Sequence, residues 1–507
     1  MRGLGALALV AVACAGTPAD DGSTEVTFHE YPSPDSWEPA QGPGTGAVAF
    51  TDDQLLEHCA YITGGEGDSE HYNLSVVHDG YLWFPWAPED GGGGVSIFDF
   101  SDPCSPVLVG QGWSDGMRES HSLAFHTVGD QEYLAVDYHE VTEEGAVLGG
   151  VGFWDVTDRT APVWVSELAL PGYYYPDSYT RVTLSTFWVG PTLYAAGAGL
   201  GTFVIDASNP LEPELVTTVK LDTPHLVGSF HVVGTTAMSS SAGLSRTVMM
   251  DVSDPWLPQP IPGGDFNVVD DTDHWREYYF ANMGGRYALF ARKDNGGGPI
   301  VYDVSDPTTP VWMGQALSLD GDGGYVFRHE DKLFTGESEF GAIYDFSDPS
   351  SPVEVARLDN AGDLDTVTPI GNVLIAAVDS AAIPGQGAAV MPWQAAPDTR
   401  GPVAEWHQPA DGAVFVATTA RIGLSFDEMV ESASVFEGSL RVWSSDGAAV
   451  SGAFDTQESI VNFTPTEPLA ADTTYVVTVP AGGIVDLSGN PTTTDLSFRF
   501  STGSNVK

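Results

Sequence analysis

Val301-Tyr302-Asp303-Val304-Ser305-Asp306-Pro307, closed by Pro310-Val311-Trp312-Met313, is one copy of a phrase that recurs along this 507-residue chain. Other copies are Ile97-Phe98-Asp99-Phe100-Ser101-Asp102-Pro103 and Ile343-Tyr344-Asp345-Phe346-Ser347-Asp348-Pro349, with three more centred on Asp155, Asp206 and Asp251. From one anchor Asp to the next the intervals are 42–56 residues. Two large apolar residues end a buried strand; Ser/Thr followed by Asp/Asn folds its side chain onto nearby backbone N–H groups, and Pro presets the turn. A second Pro (Pro106, Pro310, Pro352) opens the next strand. Lacking an N–H, Pro belongs on the first residue of an edge strand, so each copy predicts a turn into an exposed outermost strand. Upstream lie two strand-like runs joined by a short turn, such as 74–78 with 81–86, 122–128 with 133–138 and 325–329 with 332–336. About four strands per unit is the size of a propeller blade. A worn seventh copy sits at Val390-Met391-Pro392-Trp393, with Pro392 in the Asp place and Gly401-Pro402-Val403 closing it. The pattern predicts an all-β chain with a seven-bladed β-propeller over residues 46–400.

The phrase resembles the LVIVD repeat of bacterial and archaeal surface proteins, an apolar triplet followed by D-V-S-D-P-x-x-P. That resemblance implies a propeller displayed on a cell surface and brings no known reaction with it. Over residues 401–503 the repeat gives way to strand-like runs at 421–426, 440–443, 460–463, 475–479 and 496–500, the spacing of a β-sandwich. Pro409-Ala410-Asp411-Gly412, Phe463-Thr464-Pro465, Thr474-Tyr475, Asp486-Leu487-Ser488-Gly489-Asn490-Pro491 and Phe500-Ser501-Thr502 make this segment similar to the bacterial Ig-like domain. Tyr475 stands where a tyrosine corner would, and Asp486 with Asn490 reads as a turn lock.

With 18 Lys+Arg against 70 Asp+Glu the formal net charge is −52, and only four residues are lysines. Phosphate binding depends on Lys and Arg, so nucleic acid and anionic lipid headgroups are excluded as partners. A 42% hydrophobic content with 17% charged residues supports a sizeable core, and 58 Gly with 35 Pro suit a turn-rich β protein. Met1-Arg2, an apolar run over 4–12 and Ala11-Val12-Ala13-Cys14 have the layout of a signal peptide over residues 1–14. The end of that run resembles a lipobox, with Ala11 where Leu is usual and Cys14 as the lipidated residue. Cleavage near Ala13 or Ala15 with free secretion is the alternative. Both predict export, either as an outer-membrane lipoprotein touching the membrane through its anchor or as a secreted protein. Residues 15–45, rich in Ala, Gly, Pro, Asp and Ser, read as a flexible tether. In an exported chain the remaining Cys59 and Cys104 suggest one disulfide.

Chemistry is sparse. Gly112-Trp113-Ser114-Asp115-Gly116 fits G-x-S-x-G but lacks the strand-to-helix elbow that exposes a nucleophile. His139-Glu140-Val141-Thr142-Glu143 lacks the second His of a zincin, and no catalytic residue is assigned. Asp320-Gly321-Asp322-Gly323-Gly324 resembles the opening of a calcium loop, with Asp320 and Asp322 as ligands, although position twelve is Asp331; an acidic turn between units is the alternative. His71, His121, His225 and His274 each lie 26–34 residues before the anchor Asp of their unit, where an innermost strand begins, and Tyr179 takes that place in the third unit. Converging at the axis, with Glu70, Glu119 and Asp273 as orienting acceptors, such imidazoles would suit Fe, Cu, Zn or Ni. In arrangement only, this resembles the iron centre of carotenoid-cleaving propeller enzymes. Alternatively the four fall near strand starts by chance and hydrogen-bond channel water. Aromatics near the same entrances, including Trp83, Trp86, Tyr173, Tyr174, Tyr175, Trp275, Tyr278 and Tyr279, would either stack a sugar or grip a protein, or fill blade cores. The favoured function is surface binding or adhesion, a protein or glycan meeting the propeller mouth. A metal-dependent oxidoreductase or lyase using the four His is the alternative.

Overall fold

The computed structural model describes residues 26–504, except 37–41, 43, 66, 68, 89–90, 143, 146, 174–184, 222–223 and 380. The expected signal peptide, Cys14 and Tyr179 lie outside the described residues. All described strands fall into nine four-stranded sheets, and the fold is all-β and of propeller type. Seven sheets follow one another between residues 60 and 392. The first six are meanders of consecutive strands; the one built on Asp303 runs Tyr278–Gly284, Tyr287–Arg292, Pro299–Asp303 and Val311–Gln315.

The repeated phrase is the turn from third to fourth strand, and both of its acidic positions act as expected. Each anchor Asp accepts the backbone N–H two residues on at 2.9–3.0 Å, as Ser305 N does to Asp303. The second Asp or Asn does the same at 2.9–3.3 Å. A register shift between third and fourth strands precedes the anchor Asp in all six copies, so each outer strand bends away after a bulge. Inner strands such as Ser185–Val189 are wholly buried, whereas outer ones such as Glu214–Val219 alternate between exposed and half-buried.

The seventh sheet explains why its copy of the phrase is worn. Its outer strand is Ala60–Ile62, which pairs antiparallel with Ala388–Pro392, Ala60 opposite Val390 and Ile62 opposite Ala388. With the fourth strand supplied from the other end of the chain, no turn follows Pro392, and selection for Asp-Ser-Asp-Pro has nothing to act on. Cys59, next to that strand, is bonded to Cys104 in the turn after the first sheet's third strand. The disulfide therefore staples the last sheet to the first. Its 45-residue loop is worth about 4 kcal/mol in chain entropy.

The C-terminal unit is two further sheets. One orders Ala404–Gln408, Ile422–Phe426, Ile460–Pro465 and Gly452–Gln457; the other Ala413–Val416, Leu496–Thr502, Thr474–Val479 and Arg441–Ser444. The five expected strands are present, with Ala404–Gln408, Ala413–Val416 and Gly452–Gln457 in addition. Tyr475 Oη accepts Ala470 N at 2.7 Å, and Asp486 accepts both the backbone N and the Nδ2 of Asn490, at 2.8 and 2.9 Å.

This unit lies across the face formed by the hairpin turns between first and second strands. Backbone N–H groups of Asp79, Gly190, Gly234 and Glu330 donate to Ser432 Oγ, Asp455 Oδ2, Asn462 Oδ1 and the Asp427 carbonyl at 2.8–3.0 Å, and Gly285 N to the Phe426 carbonyl at 2.5 Å. Such turns normally give these N–H groups to water; here one domain satisfies five of them. Gly234 has a positive φ of 56°, and a Cβ there would stand 2.2 Å from the Gln408 carbonyl oxygen, so glycine is required twice over. Buried Arg421 adds bonds to Tyr194 Oη (3.1 Å) and Thr192 Oγ1 (2.6 Å). Part of the expected tether is also held: His29 N donates to Gly447 O at 2.8 Å, and Trp443 Nε1 to His29 O at 2.9 Å. These bonds correct the reading of residues 15–45 as wholly free chain.

Candidate functional site

With the hairpin-turn face covered, the other face carries the open mouth, where the chain enters the inner strands. His71 lies just before the first sheet, Glu119 and His121 before the second, and Asp379 follows the second strand of the seventh. His71 Nε2 stands 3.0 Å from Asp379 Oδ1 and 3.5 Å from Glu119 Oε1, and His121 Nε2 is 3.1 Å from the same Glu119 oxygen. Asn73 Nδ2 donates to Glu119 Oε1 at 2.5 Å, and Arg118 Nη2 reaches Glu119 Oε2 at 3.4 Å. Burial would pull the His71 imidazole down, but the Asp379 and Glu119 carboxylates overcome it and raise its pKa to about 10. Burial would likewise raise Glu119, yet His121, His71 and Arg118 hold it well below the usual carboxylate range. Asp137 is the opposite case: burial pushes it well above its ordinary value despite Arg118. Burial, then Asp363, brings Asp365 up to about 7. One ligand atom each from His71, Glu119 and Asp379 lies within 4.8 Å of the other two, so a metal would fit by distance. Charge argues otherwise, because imidazolium and guanidinium already balance Glu119.

Beneath the mouth an aromatic stack closes the axis. His121 stacks on Phe280 at 5.0 Å and Phe280 on Tyr325 at 4.0 Å between centroids. Below lies a cavity of only about 20 Å³, lined by Ser122, Thr186, Ser229, Asn282 and the Gln457-Glu458 turn, which enters from the C-terminal unit. The axis is therefore plugged from both sides.

The four-imidazole centre does not form; His71 and His121 meet at Glu119, and the other two lie elsewhere. His225 sits between Ser239 Oγ (2.9 Å) and Ser241 Oγ (3.0 Å), and burial, helped by Arg246, holds it down to about 4. The His274 side chain is 74% exposed, with Thr272 Oγ1 at 2.7 Å. Spacing to the anchor Asp places a residue near a strand start but says nothing about whether its side chain faces the axis. The calcium loop does not assemble either: Asp320 Oδ2 pairs with Arg357 Nη1 at 2.9 Å and Asp322 Oδ2 with Lys293 Nζ at 3.7 Å, so each carboxylate has a cation of its own. Ser114 ends the strand Val107–Ser114 and its Oγ accepts Gly116 N at 3.1 Å, with no helix following. Trp83, Trp86, Tyr173 and Tyr278 are core residues. Trp275, 68% exposed, and Leu319, 81% exposed, project instead from loops leading into the fifth and sixth sheets on the open face. Tyr174 and Tyr175 lie outside the described residues. Asp379, Asp365 and Asn73 carry no signal in the sequence; Asn73 meets Glu119 46 residues on, and Asp379 meets His71 only because the seventh sheet lies beside the first.

A cleft of about 320 Å³ between the first and second sheets and the C-terminal unit contains His78, His126, Glu132 and Arg159. Its groups are already paired: His78 Nε2 with Glu132 Oε1 at 2.6 Å, His126 Nδ1 with Asp455 Oδ1 at 2.5 Å, and Arg159 Nη2 with Asp79 Oδ2 at 2.9 Å.

Residues 398–502 match the family described as Bacterial Ig-like domain, and residues 90–111 match the LVIVD repeat. The chain thus carries the repeat and the Ig-like domain that its sequence resembles. No curated protein matches it. Among solved structures it is similar to the β-propeller domain of Cps50 (Swd1) from Myceliophteria thermophila, at 13% identity and TM-score 0.45, covering 63% of this chain and 95% of that one. It is also similar to the WD40 β-propeller domain of Doa1, at 10% identity and TM-score 0.43, covering 66% and 96%. A third similar structure is PorZ of Porphyromonas gingivalis, a bacterial surface component of the type-IX secretion system, at 10% identity and TM-score 0.42, covering 86% and 60%. No helix among the described residues is long and apolar enough to cross a membrane.

Proposed function

We propose that this chain is a cell-surface interaction protein: a seven-bladed propeller, an Ig-like β-sandwich clamped over one face, and an N-terminal lipid anchor at Cys14. Seven successive four-stranded sheets closed by Ala60–Ile62 support the blade count, and two four-stranded sheets within 404–502 support the sandwich. The observation that carries the function is the docking itself. Five turn amides are capped by the Ig-like domain and the axis is plugged, so the opposite face is left for a partner. That face combines the charged mouth at His71 and Asp379 with exposed apolar Trp275 and Leu319, the mixture of polar positioning and aromatic anchor that binding surfaces use. Its partner is a surface protein or a glycan. The reading as a metal-dependent oxidoreductase or lyase needed four convergent imidazoles, and with His225 and His274 placed elsewhere no observation favours it.

A photo-crosslinking residue at position 275 or 319, compared with one at the closed-face position 433, tests this on intact envelopes and on a glycan array. Capture from 275 and 319 but not from 433 is expected, with Leu319→Ser weakening capture from 275 and Trp275→Ala weakening capture from 319, each at least about tenfold. Equal capture from 433 would overturn it.

A further inference from the structure

We propose that the seam between propeller and Ig-like domain is a binding site for one divalent transition cation, Zn²⁺ or a metal of its class, held by His329, Asp398 and Glu428. Each ligand comes from a different segment. His329 ends the sixth sheet's inner strand Val326–His329, Asp398 lies in the connector, and Glu428 follows the Ig-like strand Ile422–Phe426. His329 Nδ1 is 3.2 Å from Glu428 Oε2, and Nε2 is 3.6 Å from Asp398 Oδ2. One ligand atom from each lies within 4.8 Å of the other two.

The observation pointing to a ligand is what these side chains lack. They are 8%, 7% and 1% exposed, yet Asp398 Oδ2 and Glu428 Oε1 have no hydrogen-bond partner. Buried carboxylate oxygens are nearly always satisfied, and an orphan calls for an ion, a proton or a water. The surroundings deepen the deficit instead of relieving it. Arg400 gives Asp398 Oδ1 its backbone N–H at 3.0 Å, but its guanidinium is spent on Asp427 and on Glu330 (3.4 Å), and Asp427 also accepts Val403 N at 2.8 Å. Asp486 takes its N–H donors from Ser488 and Asn490. No N–H donor or paired cation is therefore left for Asp398 Oδ2 or Glu428 Oε1. Burial, then repulsion from Asp486, Asp427 and Asp398, drives Glu428 well above its ordinary value.

Ligand type selects the metal. Imidazole with two carboxylates is a set for Zn²⁺, Mn²⁺, Fe²⁺ or Co²⁺, whereas Ca²⁺ and Mg²⁺ prefer all-oxygen shells. An ion there would tie propeller, connector and Ig-like domain at one point and stabilise the docked arrangement by mass action.

The test uses the full chain after chelator treatment and repurification. Titration with Co²⁺, followed by visible absorption, and with Zn²⁺, followed by calorimetry and elemental analysis, should give one tight equivalent and raise the unfolding temperature. Asp398→Asn with Glu428→Gln should weaken binding at least about a hundredfold, while His71→Gln at the mouth keeps the equivalent. Near-ultraviolet circular dichroism checks that the variant is folded; should it not be, Glu428→Gln alone, which removes one ligand oxygen at constant size, replaces it. Absence of a stoichiometric cation on the wild-type chain would overturn the proposal. So would an equivalent that survives in the folded seam variant or disappears in His71→Gln.

Discussion

Glu119 at the mouth and Glu428 at the seam are both buried carboxylates beside a histidine, on opposite faces of the same propeller. Glu119 has His71, His121, Arg118 and Asn73 around it and is held ionised. Glu428 has His329 on one oxygen and nothing on the other, and its charge is resisted. Similar residue types therefore build a self-sufficient charge network in one place and an incomplete one in the other. The difference lies in the supply of cations. In a chain of net charge −52 the few Arg side chains go where they complete a network, and a site without one must draw on solvent or on an ion.

The largest effect expected is at Glu119. Glu119→Gln would leave buried His71, His121 and Arg118 without their shared counter-charge, at a cost of about 3–5 kcal/mol in denaturant unfolding. Glu428→Gln, measured in chelator, should lie within about 0.5 kcal/mol of the parent or above it, since it replaces a carboxyl whose ionisation the fold resists with a neutral group of the same size. Equal losses from the two would break the contrast.

pH separates the faces next. Glu458 enters the axis from the Ig-like domain, and its burial, opposed by Asn282, moves its pKa from 4.5 to about 7. A carboxyl raised on folding gives stability that is present below its unfolded value and lost as pH rises through the folded one. The unfolding temperature should thus fall between about pH 5 and pH 8, and Glu458→Gln should flatten that decline. His71 follows the same rule in a higher window. Its contribution is complete below about 6.5 and lost only as pH climbs toward about 10, so His71→Gln should alter the slope above pH 7 and leave the acidic limb unchanged. Smallest of all, Trp275→Ala and Leu319→Ser should each change stability by less than about 0.5 kcal/mol, because neither side chain is packed.

Legibility in the sequence tracked locality. The phrase around each anchor Asp is a local turn program, so six sheets, both Asp caps and the edge-strand prolines could be read directly; Tyr475 and the Asp486–Asn490 lock were legible for the same reason. Ring closure was not, since Ala60–Ile62 is too short to announce itself and its partner is some 330 residues away. The histidines failed differently. Position before an anchor Asp located strand starts correctly, but facing depends on twist and on neighbours from other sheets, and His225 turned into a serine cradle while His274 turned out to solvent. Asp398 and Glu428 carry no spacing signal at all. The nearest hint was Arg328-His329-Glu330-Asp331, a highly charged hairpin turn where sister turns carry Gly, such as Gly190, Gly234 and Gly285.

Everything proposed for the open face depends on the other face being closed, and amide hydrogen exchange on the full chain addresses that directly. The N–H groups of Asp79, Gly190, Gly234, Gly285 and Glu330 are ordinary hairpin-turn amides unless the Ig-like domain caps them. The structure requires them to exchange as slowly as strand centres, with the loops around Trp275 and Leu319 exchanging far faster. Turn amides that exchange at the speed of those loops would mean that the domain is not docked and that both faces are open.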